Sequence, residues 1–370
     1  MRELDGSNAG GQFVRSALTL SVLENEPVRL ENVRGDRPDP GLAHQHLAVV
    51  ETMAELCDAE VSGAELDAET VEFDPGLSNG NESDSDTASL EGGSYAVDIG
   101  TAGSVTLLFD ALLPLATVLE SPLSITVTGG TDVAWSPPLD YTRQVKLPLL
   151  GRYGLVASCE VDRRGFFPNG GGRATLRLAP STLEPIELVE RGTLEGVRLY
   201  STEAAALAEQ DVAHRQLEGA LERLDLVGER AEDGGDGEDG DADGLEVLER
   251  QERTATSPSP GSALVIRVDH GSGIAGFSAL GERGKPAERV GEDAADAANR
   301  FLEGRAPVDP QMGDQLLVYL ALAGGRVRVP RVTDHVEASR ELLDAFGLET
   351  ALERERDDEA VVSLESAPLL

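Results

Sequence analysis

The amino-acid sequence predicts an α+β fold in which three repeated units, each with two helices on a four-stranded sheet, form one large domain. A smaller α/β domain is inserted before the third repeat. Two observations support this prediction: a pattern of helix, strand, loop, helix and strand recurs three times along the 370 residues, and a stretch with its own strand and helix signals separates the second copy from the third. The large domain then comprises residues 1–182 and 282–370, and the inserted domain residues 183–281.

The first copy begins with an apolar helix in "SALTLSVLENEP". A strand from Pro27 to Val33 follows, and then a loop, "RGDRPDPG". The next segment, "QHLAVVETMAELCDAEV", has apolar residues at helical spacing, and the short strand "ETVEFDPG" completes the pattern.

The second copy starts with the helix "TLLFDALLPLATVLE", the strand "LSITVTG" and the loop "GGTDVAWSPP". The helix "YTRQVKLPLLGRYGL" and the strand "RATLRLAP" follow. The third copy reads "DQLLVYLALAGGRVRVPRVTDH", then the helix "SRELLDAFGL" and the strand "AVVSLES". One further strand in each copy gives the expected four-stranded sheets.

The inserted domain shows strand and helix signals in "GVRLYS", "AALAEQDVAHRQLEGALERL" and "SALVIRVDH". Its acidic segment, Gly228–Gly244, and the polar segment Asn79–Gly93 contain few apolar residues, so we predict two solvated loops. The acidic segment lacks the ligand spacing and the bidentate glutamate of an EF-hand, which argues against a calcium site.

The charge of the chain indicates a protein adapted to concentrated salt. The formal net charge is −37, aromatic residues make up 4%, and lysine occurs only as Lys146 and Lys285. We therefore expect a halophilic source. Such acidity normally argues against a nucleic-acid partner. Because the Debye length falls to about 3 Å at 1 M salt, however, only the groups that line a site matter, and an RNA substrate is not excluded.

The cysteines and the apolar pattern predict a cytoplasmic protein without membrane contact. Cys57 and Cys159 are isolated, with no CxxC spacing, which is typical of a reducing compartment. The N-terminal segment has no apolar core of a signal peptide, and no apolar run is long enough to span a membrane.

Gly-rich turns are candidates for phosphate contact, because their backbone N–H groups can bind phosphate oxygens. They are Asp5–Arg15 ("DGSNAGGQFVR"), Gly100–Thr106 ("GTAGSVT") and Arg163–Arg173 ("RRGFFPNGGGR"). The first has no following GKS or GKT, so it is not a Walker A sequence. A plain tight turn or hairpin is the alternative interpretation.

His335 is one of five histidines and lies in "TDHVEAS", directly after the strand-like "RVRVPRV". Most isolated histidines are surface or core residues without a chemical role, and we assign no function to His214 or His270. The loop of His335 corresponds to Arg34–Gly41 and Gly129–Pro138 of the other copies. Loops that open onto a helix N-terminus commonly hold anion-binding groups.

A family resemblance rests on motifs that occur in one order along nearly the whole chain. They are "LDGSNAGGQFVRSALTLS", "RGDRPDPGLAHQHL", "GTAGSVTLL", "GGTDVAWSPP", "RRGFFPNGGG", "GDQLLVYLALAGG" and "TDHVEAS". Together they resemble the RNA 3′-terminal phosphate cyclases. The resemblance implies three repeats like the C-terminal domain of a translation initiation factor, with a smaller inserted domain, in agreement with the pattern above.

The resemblance also implies the chemistry. His335 would attack the α-phosphate of ATP, since neutral imidazole is a good nucleophile near pH 7. AMP would pass to an RNA 3′-phosphate, and the 2′-hydroxyl would then close a 2′,3′-cyclic phosphate and release AMP. The implied ligands are ATP, Mg²⁺ or Mn²⁺, and RNA 3′-phosphate ends. Both a monomer and a homodimer remain open.

The site residues follow by position from the same resemblance. The adenylate-binding run is Gln311, Met312, Gly313, Asp314 and Gln315, where Gln311 replaces a common aromatic residue. Asp110 stands where a glutamine that contacts the adenylate is common. Arg15 and Arg37 match arginines expected to contact phosphate. Asn8 replaces a usual acidic residue that could help hold the metal, and Asp5 is the alternative metal ligand.

Two other functions are compatible with parts of the pattern. A non-catalytic relative that acts in rRNA processing and ribosome assembly would lack the nucleophilic histidine, whereas His335 and the preceding "DQ" pair are present. An enolpyruvyl transferase of related architecture would need a site rich in arginine and lysine, which is not visible. The sequence therefore favours the cyclase.

Overall fold

The computed structural model describes residues 1–7, 10–77, 88–225, 245–355 and 359–369. The mixed α+β class is confirmed, and the described residues form four sheets of four strands each. The predicted acidic loop 228–244 and most of the polar segment 79–93 lie outside the described residues. Within the described residues, no helix is both long enough and apolar enough to cross a membrane.

The strands are β1 (Arg2–Asp5), β2 (Val28–Glu31), β3 (Glu60–Ser62), β4 (Val71–Asp74), β5 (Gly93–Asp98), β6 (Leu123–Gly129), β7 (Ala157–Arg163), β8 (Gly172–Leu178), β9 (Ile186–Leu188), β10 (Leu194–Ala204), β11 (Val247–Ala255), β12 (Ser262–His270), β13 (Gly273–Leu280), β14 (Gly325–Val329), β15 (Thr350–Arg354) and β16 (Ala360–Leu364). The helices are α1 (Gly11–Glu24), α2 (His44–Cys57), α3 (Val105–Leu112), α4 (Leu139–Tyr141), α5 (Leu147–Gly151), α6 (Val212–Arg223), α7 (Ala287–Glu303), α8 (Pro310–Ala323) and α9 (Asp334–Ala345). A short π-helical turn, Thr142–Lys146, joins α4 to α5, and 3₁₀ turns span Leu113–Thr117 and Ala205–Gln210.

Three of the sheets have strand orders β1-β2-β4-β3, β5-β6-β8-β7 and β9-β14-β16-β15. In each, the first pair is parallel and the other two pairs are antiparallel. A parallel pair needs a crossover connection, which α1 supplies between β1 and β2 and α3 supplies between β5 and β6.

One continuous hydrophobic core lies under these three sheets. The residues of strand β6 alternate between buried and partly exposed, because successive side chains of a strand point to opposite faces of the sheet. One face of the sheet therefore packs on the core. Helix α8 is buried along most of its length, and its Leu316 and Leu320 join the same core as Leu18 of α1 and Leu108 of α3. Because α8 is buried, the position of strand β14, which follows it directly, is determined as well.

The fourth sheet, β11-β10-β12-β13, packs against α6 and α7 around a second core. Phe277 of β13 and Phe301 of α7 meet there, with ring centroids 5.2 Å apart. Two elements cross the predicted domain limits. Strand β9 lies within 183–281 but pairs with β14, and α7 lies beyond 281 but packs on the fourth sheet.

Candidate active site

A cleft of about 910 Å³ lies where the N-terminal ends of several helices converge. Its lining includes Gly10 and Gly11 at the start of α1, Pro310 and Gln311 at the start of α8, and His335 at the start of α9. Helix N-termini carry free N–H groups and the positive end of the helix dipole. The geometry therefore favours a negatively charged ligand.

His335 is exposed in this cleft, in the first turn of α9. The preceding Thr333 caps the helix, because its hydroxyl accepts a 3.1 Å hydrogen bond from the N–H of Val336. Gly10 leaves space beside the imidazole: a Cβ there would lie 3.7 Å from Cε1 of His335 and 3.4 Å from Nη2 of Arg37. The imidazole and the guanidinium therefore lie beside the same turn.

Asp314 connects α8 to the histidine loop. The hydroxyl of Thr333 donates a 2.6 Å hydrogen bond to Oδ1 of Asp314. Burial raises the pKa of Asp314 to about 6, and the Thr333 bond and the proximity of His335 oppose that rise. Near neutral pH this carboxylate is ionised but incompletely solvated, so it is a strong acceptor for ligand hydroxyl groups.

Gln315 is held by a buried ion pair. Its Nε2 donates a 2.8 Å hydrogen bond to Oδ2 of Asp110, and Nζ of Lys146 pairs with the other oxygen. Burial lowers the pKa of Lys146, which Asp110 opposes. Asp110 was predicted to contact the adenylate; in the structure its two oxygens are occupied by Lys146 and Gln315. Oε1 of Gln315 is buried and has no hydrogen-bond partner among the described residues, although the residue itself lines the cleft.

Asp309 fixes the start of α8. Its carboxylate accepts hydrogen bonds from the N–H of Met312 at 3.0 Å, from the N–H of Gly276 in β13 at 2.9 Å, and from the hydroxyl of Tyr141 at 2.9 and 3.0 Å. Desolvation raises the pKa of Asp309. Three separate parts of the chain thus determine where Gln311 and Asp314 lie.

The cleft is more positive than the rest of the molecule. Four arginines and only two aspartates line the cleft. The arginines are Arg15, Arg34, Arg37 and Arg331, and the aspartates are Asp314 and Asp334. The chain as a whole carries −37. Burial lowers the pKa of Arg15 to about 10, which leaves it charged at neutral pH. Both arginines predicted from the sequence, Arg15 and Arg37, lie in this set.

His46 is a buried neutral histidine that also lines the cleft. The N–H of Ala43 donates a 3.2 Å hydrogen bond to its Nδ1, which leaves Nε2 as the protonated nitrogen. Burial, with Arg15 and Arg34 nearby, lowers its pKa to about 3. A Cβ on Gly11 would lie 2.1 Å from Nε2, so any larger residue at position 11 would displace the imidazole.

Two members of the predicted adenylate-binding run do not line the cleft. The side chain of Met312 is fully buried in the core. Gly313 backs onto β14, where a Cβ would lie 3.0 Å from Cγ1 of Val329. Met312 and Gly313 therefore face the interior of the protein, whereas Gln311, Asp314 and Gln315 line the cleft.

Only one of the two predicted metal ligands, Asp5, lies within the described residues. Asn8 lies outside them. Oδ1 of Asp5 accepts hydrogen bonds from the hydroxyl of Ser7 at 2.6 Å and from Nδ2 of Asn32 at 3.0 Å. The described part of the chain holds no group of three or more metal-ligating side chains. The described residues alone therefore provide no set of ligands for a resident metal ion.

Several residues of the cleft were not selected from the sequence. They are Gln12, Arg34, Gln45, His46, Trp135 and Arg331. Most lie within or beside the quoted motifs, so the signal was present, but the motifs do not distinguish a side chain that faces the cleft from one that faces the core. Only packing makes that distinction.

Comparison with known proteins gives one consistent result. A family model described as RNA 3′-terminal phosphate cyclase matches residues 7–350. A protein of that name from Halobacterium salinarum is 44% identical over 98% of this chain and 99% of its own length. Proteins of the same name from Methanopyrus kandleri and Pyrococcus furiosus are 40% and 34% identical, each over 93% of this chain and 92% of the relative. A solved EPSP synthase from Acinetobacter baumannii is similar at a TM-score of only 0.29 and 10% identity, over 98% of this chain and 64% of that one, which supports no argument.

Proposed function

The chain belongs to the RNA 3′-terminal phosphate cyclase family of enzymes, and we propose that it uses ATP to convert an RNA 3′-phosphate into a 2′,3′-cyclic phosphate, with His335 as the nucleophile. The observation that carries this proposal is the exposed imidazole of His335 at a helix N-terminus, in one cleft with Arg37, Asp314 and Gln315. One cleft thus holds an imidazole, guanidinium groups and hydrogen-bond acceptors, which are the groups that this proposal requires.

The reaction has three balanced steps. A ring nitrogen of His335 attacks the α-phosphorus of ATP; a P–N bond forms, the bond to pyrophosphate breaks, and the ring proton leaves to solvent. An oxygen of the RNA 3′-phosphate then attacks the same phosphorus, and the P–N bond breaks. Finally the 2′-hydroxyl loses its proton and attacks the 3′-phosphorus, and AMP leaves. Adenylation supplies the good leaving group that a free 3′-phosphate lacks.

The neighbouring residues have distinct roles in this proposal. Asp314 and Gln315 accept hydrogen bonds from the adenosine, and Arg15 and Arg37 bind phosphate oxygens. Positioning and charge neutralisation are expected to provide most of the rate. Mg²⁺ or Mn²⁺ arrives with ATP, since Mg²⁺ usually takes only one or two protein carboxylates beside the nucleotide phosphates.

The architecture is interpreted on the same basis. We infer that the three sheets of matching strand order are copies of one unit, and that the fourth sheet with α6 and α7 is an inserted domain. The pairing of β9 with β14 and the packing of α7 support limits near residues 189 and 304, instead of 183 and 281. A cytoplasmic location remains a prediction, which the two free cysteines Cys57 and Cys159 support.

A labelling experiment tests the function. Incubation with ATP labelled at the α-phosphate should leave label on the protein that is labile in acid and stable in alkali, as expected for a phosphoramidate. The variant His335→Ala should lose the label. The matched control is His214→Ala, because His214 is exposed on α6 beside Glu252, away from the cleft. Labelling that persists in His335→Ala would place the nucleophile elsewhere.

A further inference from the structure

Trp135 exposes its indole at the cleft that contains His335. It is the single tryptophan of a chain with 4% aromatic residues, and it is 99% exposed. Tryptophan is usually highly buried, because its large apolar surface is costly to hydrate. Trp135 lines the cleft beside Ser136 and Pro137, so a ligand bound in the cleft could cover the ring.

The loop presents this side chain on anchored backbone. Trp135 has a φ of 67°, a left-handed conformation that is rare for a bulky residue. Its neighbours are fixed: Val133 is buried, and the carbonyl of Pro137 accepts a 2.9 Å hydrogen bond from the hydroxyl of Thr106. Strained backbone held by its surroundings is common at ligand-binding sites.

The charge of the cleft indicates the class of ligand. Four arginines against two aspartates line it, within a chain of net charge −37. A local positive lining with an exposed aromatic ring is the combination by which proteins bind single-stranded nucleic acid, because the cations follow the backbone and the ring stacks on a base.

We propose that Trp135 stacks on a base near the 3′ end of the RNA substrate. This inference rests on the proposed function. ATP is small enough to be enclosed near His335, whereas an RNA chain bound at its 3′ end must extend out of the cleft into solvent. A ring that is exposed to solvent is therefore better placed to contact the RNA than ATP. Every base offers a π-face, so such a contact would bind RNA ends of different sequence.

Tryptophan fluorescence tests the contact directly, since all indole emission of this protein comes from Trp135. The intact protein without ATP is titrated with a short RNA that ends in a 3′-phosphate, and separately with AMP. We expect the RNA to quench the emission and AMP to leave it unchanged. Unchanged emission while anisotropy of a labelled RNA reports binding would overturn the proposal, and so would quenching by AMP alone.

Variants provide the second measurement. Trp135→Ala should raise the KM for RNA about ten-fold, in the range expected for loss of one base stack, whereas Trp135→Phe should retain most of the affinity. Circular dichroism checks that both are folded. A normal KM in Trp135→Ala would overturn the proposal. An equal loss of self-labelling with ATP in Trp135→Ala would do the same, because it would assign the ring to the adenosine.

The two proposals can fail separately. If His335→Ala still becomes labelled but RNA quenches the emission, the proposed nucleophile is wrong and the stacking contact stands. If His335 becomes labelled and RNA binds without quenching, the stacking contact is wrong and the proposed nucleophile stands.

Discussion

The hydroxyl of Thr333 donates a 2.6 Å hydrogen bond to Oδ1 of Asp314, across 19 residues of sequence. The same hydroxyl accepts from the N–H of Val336 and so caps the helix that carries His335. One side chain therefore ties the histidine to the run that is proposed to bind adenosine. The relative position of these two groups depends on Thr333.

We predict that Thr333→Val lowers the rate of self-labelling with ATP about ten-fold or more, because it removes both hydrogen bonds. A ten-fold lower rate corresponds to an activation barrier that is higher by about 1.4 kcal/mol. Loss of the cap should also cost about 1 kcal/mol of stability. Thr333→Ser keeps the hydroxyl and is the matched control. Equal rates for Thr333→Val and the wild type would show that the bond does not position His335.

We predict that Asp314→Asn is more stable than the wild type at pH 7 but binds ATP more weakly. The pKa of Asp314 is raised from 3.8 to about 6. Between these values the folded protein holds a proton that the unfolded chain has released, so the wild type loses stability as pH rises through this range. A rise of about two pKa units at about 1.4 kcal/mol per unit means that the stability gained by the Asp314→Asn substitution should be about 3 kcal/mol above pH ~6 and should disappear below pH ~4.

Thermal melts across pH measure this difference. Asp334→Asn removes a carboxylate of the same cleft that is exposed, and it should show no comparable gain near neutral pH. A pH-independent difference between Asp314→Asn and the wild type would contradict the prediction.

We predict strong energetic coupling between Asp110 and Lys146, whose side chains are 12% and 2% exposed. Asp110→Ala should destabilise the protein by about 3–5 kcal/mol, because it leaves a buried cation without its partner. The double variant with Lys146→Met should recover much of that loss. Chemical denaturation of the four proteins gives the coupling energy. The exposed pair Arg177 and Glu160 is the control and should show little coupling.

We predict that stability rises steeply with KCl concentration. The net charge of −37 produces repulsion that is screened as the Debye length shortens from about 10 Å at 0.1 M to about 3 Å at 1 M. Melting temperature against KCl is the measurement, and an uncharged osmolyte is the control. A melting temperature that does not depend on salt would remove the basis for expecting a halophilic source.

Much of the site could be predicted from the sequence because motifs and periodicity are local. The run of Gln311 to Gln315, the histidine loop and Arg15 and Arg37 were all identified, and the structure brings members of each into one cleft. Strands such as Leu123–Gly129 were also predicted, since alternating burial follows from residue order alone.

The sequence by itself thus determined the mixed α+β class, the family and the residues proposed to carry the chemistry. The tertiary structure decided which of these residues face the cleft. Gln315 donates a hydrogen bond to Asp110 across 205 residues, and Tyr141 donates one to Asp309 across 168. Met312 is buried in the core, whereas Gln311 and Asp314 of the same run line the cleft. The physical reason is that hydrogen-bond partners, burial and the pKa values that follow from them depend on chain segments distant in sequence, which periodicity cannot specify.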